Sequence, residues 1–407
     1  MILYLIFTSL VAIGVVDVIL QNLAIRILTR KDQIFPEADF LIGEKEDTSR
    51  EVTSITPSAS TVFSPPISIL KPLKGLDDDL FDNLTSFCKQ AYPDYEIIFA
   101  LEEKGDPALK LAEEMKKRYP QKKISVVVKK RDYALNPKVD NLIAAYEASQ
   151  FPYVLISDSD VRVAGDYLQE IIKPMEDQKV GLVSNLIRGI GDRTFGALLE
   201  NLHLNSFVIG HVAILNGFFK MPTVVGKSML MRKKAFEEIG AFEQVRNVLA
   251  EDYVIGDLMD KNGRRVVTLG YVINAVNHYR TLKQFIKRHV RWGKLRRKLA
   301  GIGYVSEIVS NAVFIACIAL IVLGPTTGAI SLAAAALAVK IVGDYTLGKR
   351  IKAAHPFFHY LLSPIKDIII GFLWFVPFFS RNVMWRRHRY KISKGTRLIP
   401  IPDKKAR

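Results

Sequence analysis

Cysteine is scarce in this sequence, which has two among its 407 residues, Cys88 and Cys317. The first lies in a polar region and the second inside an apolar run, so we expect no disulfide between them and a reducing compartment. Acidic side chains are outnumbered, 41 against 57 basic ones, which leaves a formal net charge of +16. That charge suits a nucleic acid, an anionic lipid surface or a phosphorylated small molecule. The basic residues lack an interleaved array of aromatic ones, so we expect no nucleic-acid partner.

The N-terminal apolar segment lacks both marks of a cleaved signal peptide, a basic start and a small-residue cleavage site. Residues 1–28 are almost entirely apolar, and Arg30 and Lys31 follow them. We therefore predict a retained transmembrane anchor over residues 1–28, with a buried helix of a soluble domain as the alternative. Residues 29–66 are largely polar and rich in serine, threonine and proline, which predicts a linker.

Residues 67–280 alternate β-rich runs with helical patterns, which predicts an α/β domain with a mostly parallel sheet covered by helices. The predicted strands are 67–70, 95–101, 124–129, 153–157, 180–184 and 265–269, and the predicted helices between the early ones are 107–118, 138–149 and 167–176. Sheets of this kind bind ligands beyond the carboxyl ends of their strands. Functional residues are therefore expected directly after strands.

The C-terminal third is basic at first and then strongly apolar. Residues 281–303 predict a basic helix beside the membrane, which leads into an apolar region, residues 304–380. Within that region, 306–324 and 329–347 are each long enough to span a bilayer and are separated by a Gly-Pro turn, which predicts a helical hairpin. The segment 356–380 is interrupted by prolines and charged residues, so we predict that it is re-entrant or interfacial rather than spanning.

Basic residues cluster at both ends of the 67–280 domain and again in the tail, residues 381–407. Because basic loops tend to stay on the cytoplasmic side, we expect an integral, multi-pass membrane protein with a cytoplasmic large domain. The cluster between residues 287 and 298 also predicts contact with anionic lipid headgroups.

Asp158 and Asp160 directly follow an apolar run, residues 153–156. Two carboxylates two residues apart at the end of a strand can offer hard oxygen ligands to Mg²⁺ or Mn²⁺, with substrate phosphates completing the coordination. A solvated acidic turn is the alternative. The buried type of the preceding strand and the parallel-sheet context favour a metal site.

Glu251 and Asp252 begin another helical pattern. Carboxylates in a first helical turn commonly act as caps or helix-dipole partners. The alternative is catalytic: Asp252 could act as a general base toward an acceptor hydroxyl that attacks the anomeric carbon of a sugar.

Arg288 and Arg291 are three residues apart and share one face of a predicted helix. Guanidinium groups pair with diphosphate oxygens in a fixed geometry with several donors. The adjacent Trp292 offers an apolar platform with one N–H donor for a sugar or an acceptor. A basic stretch attracted to anionic lipid explains the same residues, and both functions are compatible.

Together, these three motifs resemble those of the ceramide glucosyltransferases, glycosyltransferase family 21. The likeness runs from about residue 67 to residue 297 and continues more loosely to residue 390. Further matching segments are 69–75, 136–142, 180–183 and 226–233. The resemblance implies a GT-A fold, a UDP-sugar donor, inversion at the anomeric carbon, a divalent metal and a lipid acceptor in the membrane.

The resemblance also implies roles for individual residues. Asp252 corresponds to the catalytic base, Asp158 and Asp160 to the metal ligands, and Trp292 to part of the acceptor site. The residues that it implies for nucleotide-sugar binding are Leu70, Pro72, Glu103, Lys138, Asp158, Arg288 and Arg291. One position departs from the family pattern. The family's aspartate after the second strand is replaced here by glutamate, and Glu103 aligns best with it.

Residues 205–225 are largely apolar but are broken by His211, Asn216, Lys220 and Pro222. A spanning helix here would separate Asp158 from Asp252, so it is excluded if both serve one site. We expect either an interfacial segment that lines the entry of a lipid acceptor or a packing element of the core.

The leading functional hypothesis is transfer of glucose from UDP-glucose to a lipid hydroxyl such as that of ceramide. A hopanoid or another lipid acceptor with a different sugar is the first alternative. A polysaccharide synthase is less favoured, because the C-terminal helices are few for a translocation channel. An inactive lipid-binding scaffold would not need the acidic and basic motifs.

Overall fold

The structure of the protein, a computed structural model, describes residues 1–29, 63–129, 133–221, 223–385 and 388–402. The predicted linker, residues 29–66, therefore lies almost entirely outside the described residues. Both cysteines are described, and both are free thiols, as expected from their positions in the sequence.

An eight-stranded mixed sheet forms the centre of the large domain, in the spatial order β3-β2-β1-β4-β7-β6-β8-β5. The strands are β1 Ile67–Pro72, β2 Tyr95–Leu101, β3 Lys123–Val128, β4 Tyr153–Ile156, β5 Val161–Arg162, β6 Val180–Ile190, β7 Met229–Arg232 and β8 Arg265–Val276. Parallel pairing joins β1 to β2 and β4, β2 to β3, and β6 to β8. Strands β7 and β5 run antiparallel to their neighbours. The predicted α/β class is confirmed, and the sequence pattern missed only strands that are too short to show a period.

Helix α1, Ile2–Leu28, precedes this domain, and helices cover both faces of the sheet. The helices of the domain are α2 Leu80–Cys88, α3 Ala108–Arg118, α4 Pro137–Ala148, α5 Tyr167–Ile172, α6 Phe195–His203, α7 Ile209–Gly217, α8 Lys233–Glu238 and α9 Glu251–Lys261. Alternate residues of β2 point to opposite faces: Ile97 and Phe99 belong to the apolar cluster of α2 and α3, whereas Ile98 belongs to the cluster of α4. All of β2 is buried, as expected for a strand covered on both sides.

The helices α6 and α7 are joined by a π-helical turn, Leu204–Val208, into one segment from Phe195 to Gly217. Most of this segment is buried, and hydrogen bonds to the domain hold its middle and the residues that follow its end. Asn205 accepts a hydrogen bond from the backbone N–H of Gly189 in β6 at 2.7 Å. Beyond Gly217, the backbone N–H of Val225 donates to Ser184 at 3.2 Å.

Two polar residues of α1, Asp17 and Asn22, contact other helices. Asp17 lies 3.4 Å from His211 of α7, and Asn22 donates to the carbonyl of Gly343 at 3.1 Å. Thr346 in turn donates to Asn22 at 2.8 Å. Polar groups in an apolar helix are expected on the face that packs against protein. Asp17 and Asn22, which interrupt the first apolar segment, therefore lie on the face of α1 that packs against other helices.

Four helical segments among the described residues are long and apolar enough to cross a membrane. They are Ile2–Leu28, Phe195–Gly217, Thr327–Arg350 and Phe357–Phe379. The first and third coincide with predicted spans. The fourth lies in the segment that we predicted not to cross, so length and composition do not favour that prediction.

The predicted span 306–324 is not one straight helix. The basic helix α10, Leu282–Ala300, continues through a short turn into α11, Val305–Val309, and α12, Ala312–Leu323, leaves at a bend of 63°. Asn311 causes the break, because its side chain caps α12 at the N–H of Phe314 and donates to the carbonyl of Asp367 at 2.8 Å. Alone, the 12 residues of α12 are about 18 Å long, less than the apolar core of a bilayer.

The last helices are α13 Thr327–Arg350, α14 Phe357–Tyr360, α15 Ser363–Leu373 and α16 Val376–Phe379. Four buried charges join α13 to α15. Lys340 lies 2.9 Å from Asp344 and 3.3 Å from Asp367, and Lys366 lies 2.6 Å from Asp367 and 3.8 Å from Asp344. This charge quartet is neutral overall. Its charges need one another, because all four residues are buried and a buried charge without a partner is costly.

The predicted basic tail, residues 381–407, holds a small antiparallel sheet. Its strands are β9 Asn382–Trp385, β10 His388–Ile392 and β11 Leu398–Pro400. The tail docks on the loop that precedes α9: the N–H of Leu249 donates to the carbonyl of Thr396 at 3.0 Å, and the N–H of Leu398 donates to the carbonyl of Asn247 at 2.8 Å. Tyr390 and other apolar residues of the tail form a buried cluster with Leu249. The tail sheet therefore braces the start of α9.

Candidate active site

Asp158 and Asp160 lie at the carboxyl end of β4, next to the neighbouring strand β1. The N–H of Ser157 donates to the carbonyl of Leu70 at 3.1 Å, which extends the pairing to the last residue before Asp158. Both carboxylates line a pocket of about 220 Å³, called here the acidic pocket. Its lining consists of Pro72, Leu73, Lys74, Asp77, Lys138, Asp158, Ser159 and Asp160. The expectation that functional residues follow strands agrees with this position.

Lys138 connects the acidic pocket to α9. Its Nζ lies 2.7 Å from Oδ1 of Asp158 and 3.0 Å from Oε1 of Glu251. Burial alone would lower the pKa of Lys138, but the carboxylates of Asp158 and Glu251 raise it above its ordinary value. Asn136 fixes this residue, because it caps α4 by accepting from the N–H of Lys138. Lys138 is therefore a permanent cation between two acidic motifs that are distant in the sequence.

Lys227 is the partner of Asp160, with both carboxylate oxygens 2.5 Å from its Nζ. Burial alone would raise the pKa of Asp160, but Lys227 and, more weakly, Arg288 hold it below its ordinary value. Lys227 lies in segment 226–233, which resembles the family, but no pattern in the sequence indicates that it pairs with Asp160. Only the three-dimensional structure shows this ion pair.

Lys71 lies beneath the acidic pocket and is fully buried. Its Nζ donates to the carbonyl of Asp158 at 2.8 Å and lies 3.6 Å from the centre of the Phe87 ring. Burial lowers the pKa of Lys71 to about 7. Lys71 thus holds the backbone of Asp158 from below, and its contact with that carbonyl was not foreseen from the sequence.

Asp252 is held by two backbone donors. Its Oδ2 accepts from the N–H of Gly226 at 2.8 Å, and its Oδ1 accepts from the N–H of Tyr253 at 2.8 Å. Burial, followed by the neighbouring carboxylate of Glu251, raises the pKa of Asp252 to about 6. A carboxyl group with a pKa near the working pH is suited to accept a proton. Gly226 also links Asp252 to Lys138, whose Nζ lies 3.4 Å from the Gly226 carbonyl.

The acidic pocket offers the donor atoms that Mg²⁺ and Mn²⁺ prefer. Asp158 and Asp160 present carboxylate oxygens at its wall, and these ions commonly bind one or two carboxylates together with substrate phosphates. In the structure, the carboxylate of Asp158 pairs with Lys138 and the carboxylate of Asp160 pairs with Lys227. The donor set fits a divalent ion, which would share these carboxylates with the two ammonium groups.

Glu200 of α6 organises the Arg288 motif on α10. Its carboxylate lies 3.1 Å from Nε of Arg288 and 3.2 Å from Nε2 of His289. The Arg288 guanidinium lies over the Trp292 ring, 4.6 Å from its centre. Trp292 is half-buried and packs against the main apolar cluster.

Arg291 is half-buried and lies close enough to Glu251 for their charges to interact. The motif therefore lies beside both acidic motifs.

The remaining predicted residues differ in exposure. Pro72 lines the acidic pocket, whereas the Leu70 side chain is fully buried in the core beneath β1. Glu103 is 61% exposed and pairs with Lys74 at 2.8 Å, and it lines no pocket that we describe. Its neighbour Glu102 lines a second pocket of about 290 Å³ together with residues of the tail sheet. The assignment of Glu103 to nucleotide binding stays a prediction.

Comparison with solved structures supports the fold. A mannosyltransferase from Pyrobaculum calidifontis, solved in complex with GDP-Man and Mn²⁺, matches 91% of this chain and 98% of its own, with a TM-score of 0.50 and 16% sequence identity. At that identity the match establishes a GT-A fold and nothing about the substrate. The predicted fold class is confirmed.

Comparison with known sequences identifies relatives. Ceramide glucosyltransferase 1 of Caenorhabditis elegans is 25% identical over 346 residues, which cover 82% of this chain and 73% of the relative. Ceramide glucosyltransferase 3 of the same organism is 27% identical over 233 residues, which cover 57% of this chain and 50% of the relative. The sequence profile of glycosyl transferase family 21 matches residues 42–398. The chain thus belongs to glycosyl transferase family 21 and is a membrane-associated glycosyltransferase.

Proposed function

We propose that this enzyme transfers a hexose from a UDP-sugar to the hydroxyl group of a membrane lipid, with inversion at the anomeric carbon. UDP-glucose and ceramide are the leading donor and acceptor, because the relatives at 25–27% identity are named ceramide glucosyltransferases. The observation that carries the mechanism is the Asp252 carboxylate, fixed by two N–H groups beside Lys138 and the acidic pocket. A hopanoid or other lipid acceptor is the alternative.

The proposed reaction is a single displacement. Asp252 accepts the proton of the acceptor hydroxyl while that oxygen forms a bond to the anomeric carbon. The bond from the anomeric carbon to the diphosphate oxygen breaks at the same time, and its electron pair leaves with UDP. Burial favours this role, because it raises the pKa of Asp252 to about 6 and leaves the group ionised yet basic at neutral pH.

The departing UDP is stabilised by cations around the acidic pocket. Lys138, Lys227 and Arg288 each lie at or near its two aspartates. In the proposal, Arg288 and Arg291 bind the diphosphate, because each guanidinium group can donate several hydrogen bonds in a fixed geometry to its oxygens. Asp158 and Asp160 would hold a divalent ion, whose chemical contribution is to neutralise charge on the leaving group.

The acceptor is proposed to enter along the tip of α7. Three apolar side chains at this tip are exposed, with Phe218 at 39%, Phe219 at 65% and Met221 at 54%. The segment that follows them leads within five residues to Gly226, which contacts Asp252. This exposed apolar tip is only a few residues away from a contact of the proposed base, Asp252. That proximity favours an interfacial role for the tip over a role in core packing.

Replacing Phe218 and Phe219 together with serine is expected to raise the KM for a membrane-embedded acceptor by about tenfold or more. Full burial of a phenylalanine ring is worth roughly 1.5–3 kcal/mol, and the exposed 39% and 65% of these two side chains would enter the membrane. Hydrolysis of the UDP-sugar without acceptor should be unchanged. The matched control is Phe195→Ser, another exposed phenylalanine at the opposite end of the same segment. An equal loss of transfer and hydrolysis would contradict the role of the tip.

A methyl group at position 226 is expected to displace the catalytic carboxylate. A Cβ on Gly226 would lie 2.7 Å from Oδ2 of Asp252, closer than atoms normally approach. Gly226→Ala should therefore lower kcat by about 10–100-fold, since small misplacements of catalytic groups carry losses of this size. Gly105→Ala is the matched control, because its Cβ would meet nothing within 4 Å. Unchanged kcat in Gly226→Ala would show that the Asp252 position is not critical.

The proposed topology places the catalytic domain at the cytoplasmic face of a multi-pass protein. It rests on the basic residues that flank the domain, Arg26 at the end of α1 and the cluster along α10. The same α10 residues are proposed to contact anionic lipid headgroups. Labelling of single introduced cysteines in sealed vesicles shows on which side of the membrane the catalytic domain lies. A cysteine at position 260 that is labelled only from the lumen would contradict the proposed topology.

The function itself is tested with purified protein in lipid nanodiscs, radiolabelled UDP-glucose, and either ceramide or a hopanoid alcohol. A labelled product that is extracted with lipids and migrates as a monoglycosylated species on thin-layer chromatography is expected. The coupling constant of its anomeric proton reports inversion. A long labelled polymer would instead identify a polysaccharide synthase, and no turnover with any donor would favour a lipid-binding scaffold.

A further inference from the structure

A second group of ligand-type side chains lies outside the acidic pocket. Asp192 follows β6 and precedes α6, whereas His355 lies in the turn after α13 and His359 lies in the short helix α14. One ligand atom from each of the three residues lies within 4.8 Å of the other two. Across the described ranges, no other group of three or more His, Cys, Asp or Glu residues comes this close.

The two histidines each leave a ring nitrogen without a partner. His355 is 6% exposed, and its Nε2 lies 2.6 Å from Oδ1 of Asp192. Nδ1 of His355 and Nδ1 of His359 are buried with no hydrogen-bond partner in the described part of the chain. The centres of the two rings are 5.6 Å apart, and the ring planes are inclined by 54°. Unpaired buried nitrogen atoms are costly, so their presence in two adjacent rings favours a bound ligand.

The surrounding structure fixes the spacing of this group. Arg188 of β6 is fully buried and donates to the carbonyls of Ile351 at 2.6 Å and Lys352 at 3.0 Å, which docks the start of the turn on the sheet. Asn201 of α6 donates to Oδ1 of Asp192 at 3.0 Å and orients that carboxylate. A second layer of hydrogen bonds that orients ligands is characteristic of metal centres.

We propose that Asp192, His355 and His359 bind one divalent transition metal ion, for which Zn²⁺ is the best match. Two imidazoles and one carboxylate form a set that suits Zn²⁺, whereas the all-oxygen donors of Asp158 and Asp160 suit Mg²⁺ or Mn²⁺. Ligands of a tetrahedral zinc ion are about 3.3 Å apart, which small side-chain adjustments achieve from the present distances. The ion joins the turn before α15 to the loop before α6, and therefore joins the membrane helices to the catalytic domain. The inference does not depend on the proposed function.

The test uses the full-length protein in detergent, stripped with a chelator and then titrated with Zn²⁺ alone. One equivalent is expected to bind, and the midpoint of thermal unfolding should rise by about 5 °C at about a hundredfold excess over Kd. Co²⁺ in place of Zn²⁺ should give the visible absorption of a tetrahedral site. Asp158→Asn with Asp160→Asn should retain this binding, and so should His388→Ala, an exposed histidine of the tail sheet.

His355→Ala and His359→Gln are each expected to abolish both the Co²⁺ absorption and the thermal shift. Two variants are used because either one alone could fold poorly, and unfolding in the absence of metal checks that each retains its fold. Metal binding that persists in a folded variant overturns the proposal. Absence of Zn²⁺ binding by the folded wild-type protein also overturns it and leaves a hydrogen bond between Asp192 and His355 alone.

Discussion

Asp252→Asn is expected to lower kcat by about 10²–10⁴-fold, the range that loss of a general base covers. An asparagine side chain keeps the shape and can still accept from the N–H of Gly226, but it cannot take a proton from the acceptor hydroxyl. Binding of the UDP-sugar should be nearly unchanged, because Asp252 does not line the acidic pocket. Transfer to lipid is measured at saturating donor and acceptor, and donor binding is measured separately by calorimetry.

The pH dependence gives an independent measure of the same group. Burial raises the pKa of Asp252 to about 6, so the carboxylate is ionised and able to accept a proton above that pH. For the wild-type enzyme, kcat/KM should be constant above pH 7 and fall about tenfold per unit below pH 6. Asp260→Asn, an exposed residue at the far end of α9, is the matched control. If Asp252→Asn keeps the kcat of the wild-type enzyme, Asp252 is not the general base.

Asp344→Ala is expected to destabilise the protein by about 3–5 kcal/mol, the cost of leaving a buried charge without its partner. Without Asp344, Lys340 and Lys366 share the single carboxylate of Asp367, and the charge quartet carries a net positive charge. The loss is measured as a lower midpoint of thermal unfolding in detergent and as a lower yield from membranes. Val342→Ala on the exposed side of α13 is the matched control.

A double replacement separates charge from packing at the same position. Lys340→Met with Asp344→Leu removes one ion pair and leaves Lys366 paired with Asp367 at 2.6 Å. Because buried ion pairs can be replaced by apolar side chains of similar volume at little cost, this variant should be much more stable than Asp344→Ala. Equal destabilisation by the single and the double replacement would mean that shape, rather than charge, governs this region.

The sheet was predictable where strands are long and buried. The predicted strands 95–101 and 153–157 appear in the structure within one residue, because continuous apolar runs bounded by turns have few other solutions. Strand β7 and the tail sheet escaped prediction for a different reason. Strand β7 is short, and its partners β4 and β6 are distant in the sequence. The tail strands are neighbours in the sequence but are only three to five residues long, too short to show a period.

The candidate site was partly predictable. Asp158 and Asp160 have a local signature, two carboxylates after a buried strand, and the structure brings them to a pocket. Lys71 and Lys227 have no such signature. The sequence around a lysine does not reveal a distant partner, which is the backbone carbonyl of Asp158 for Lys71 and the carboxylate of Asp160 for Lys227. Asp252 is intermediate: its sequence position indicates a helix start, and only its contact with Gly226 distinguishes a held carboxylate from an ordinary cap.

The docking of the tail sheet on the loop before α9 has a consequence for biosynthesis. Thr396 and Leu398 are among the last described residues, yet they hydrogen-bond to Leu249 and Asn247, just ahead of Asp252. Translation therefore delivers the loop that precedes Asp252 well before the residues that brace it. The start of α9 acquires these two hydrogen bonds only after residues 396 and 398 have been synthesised.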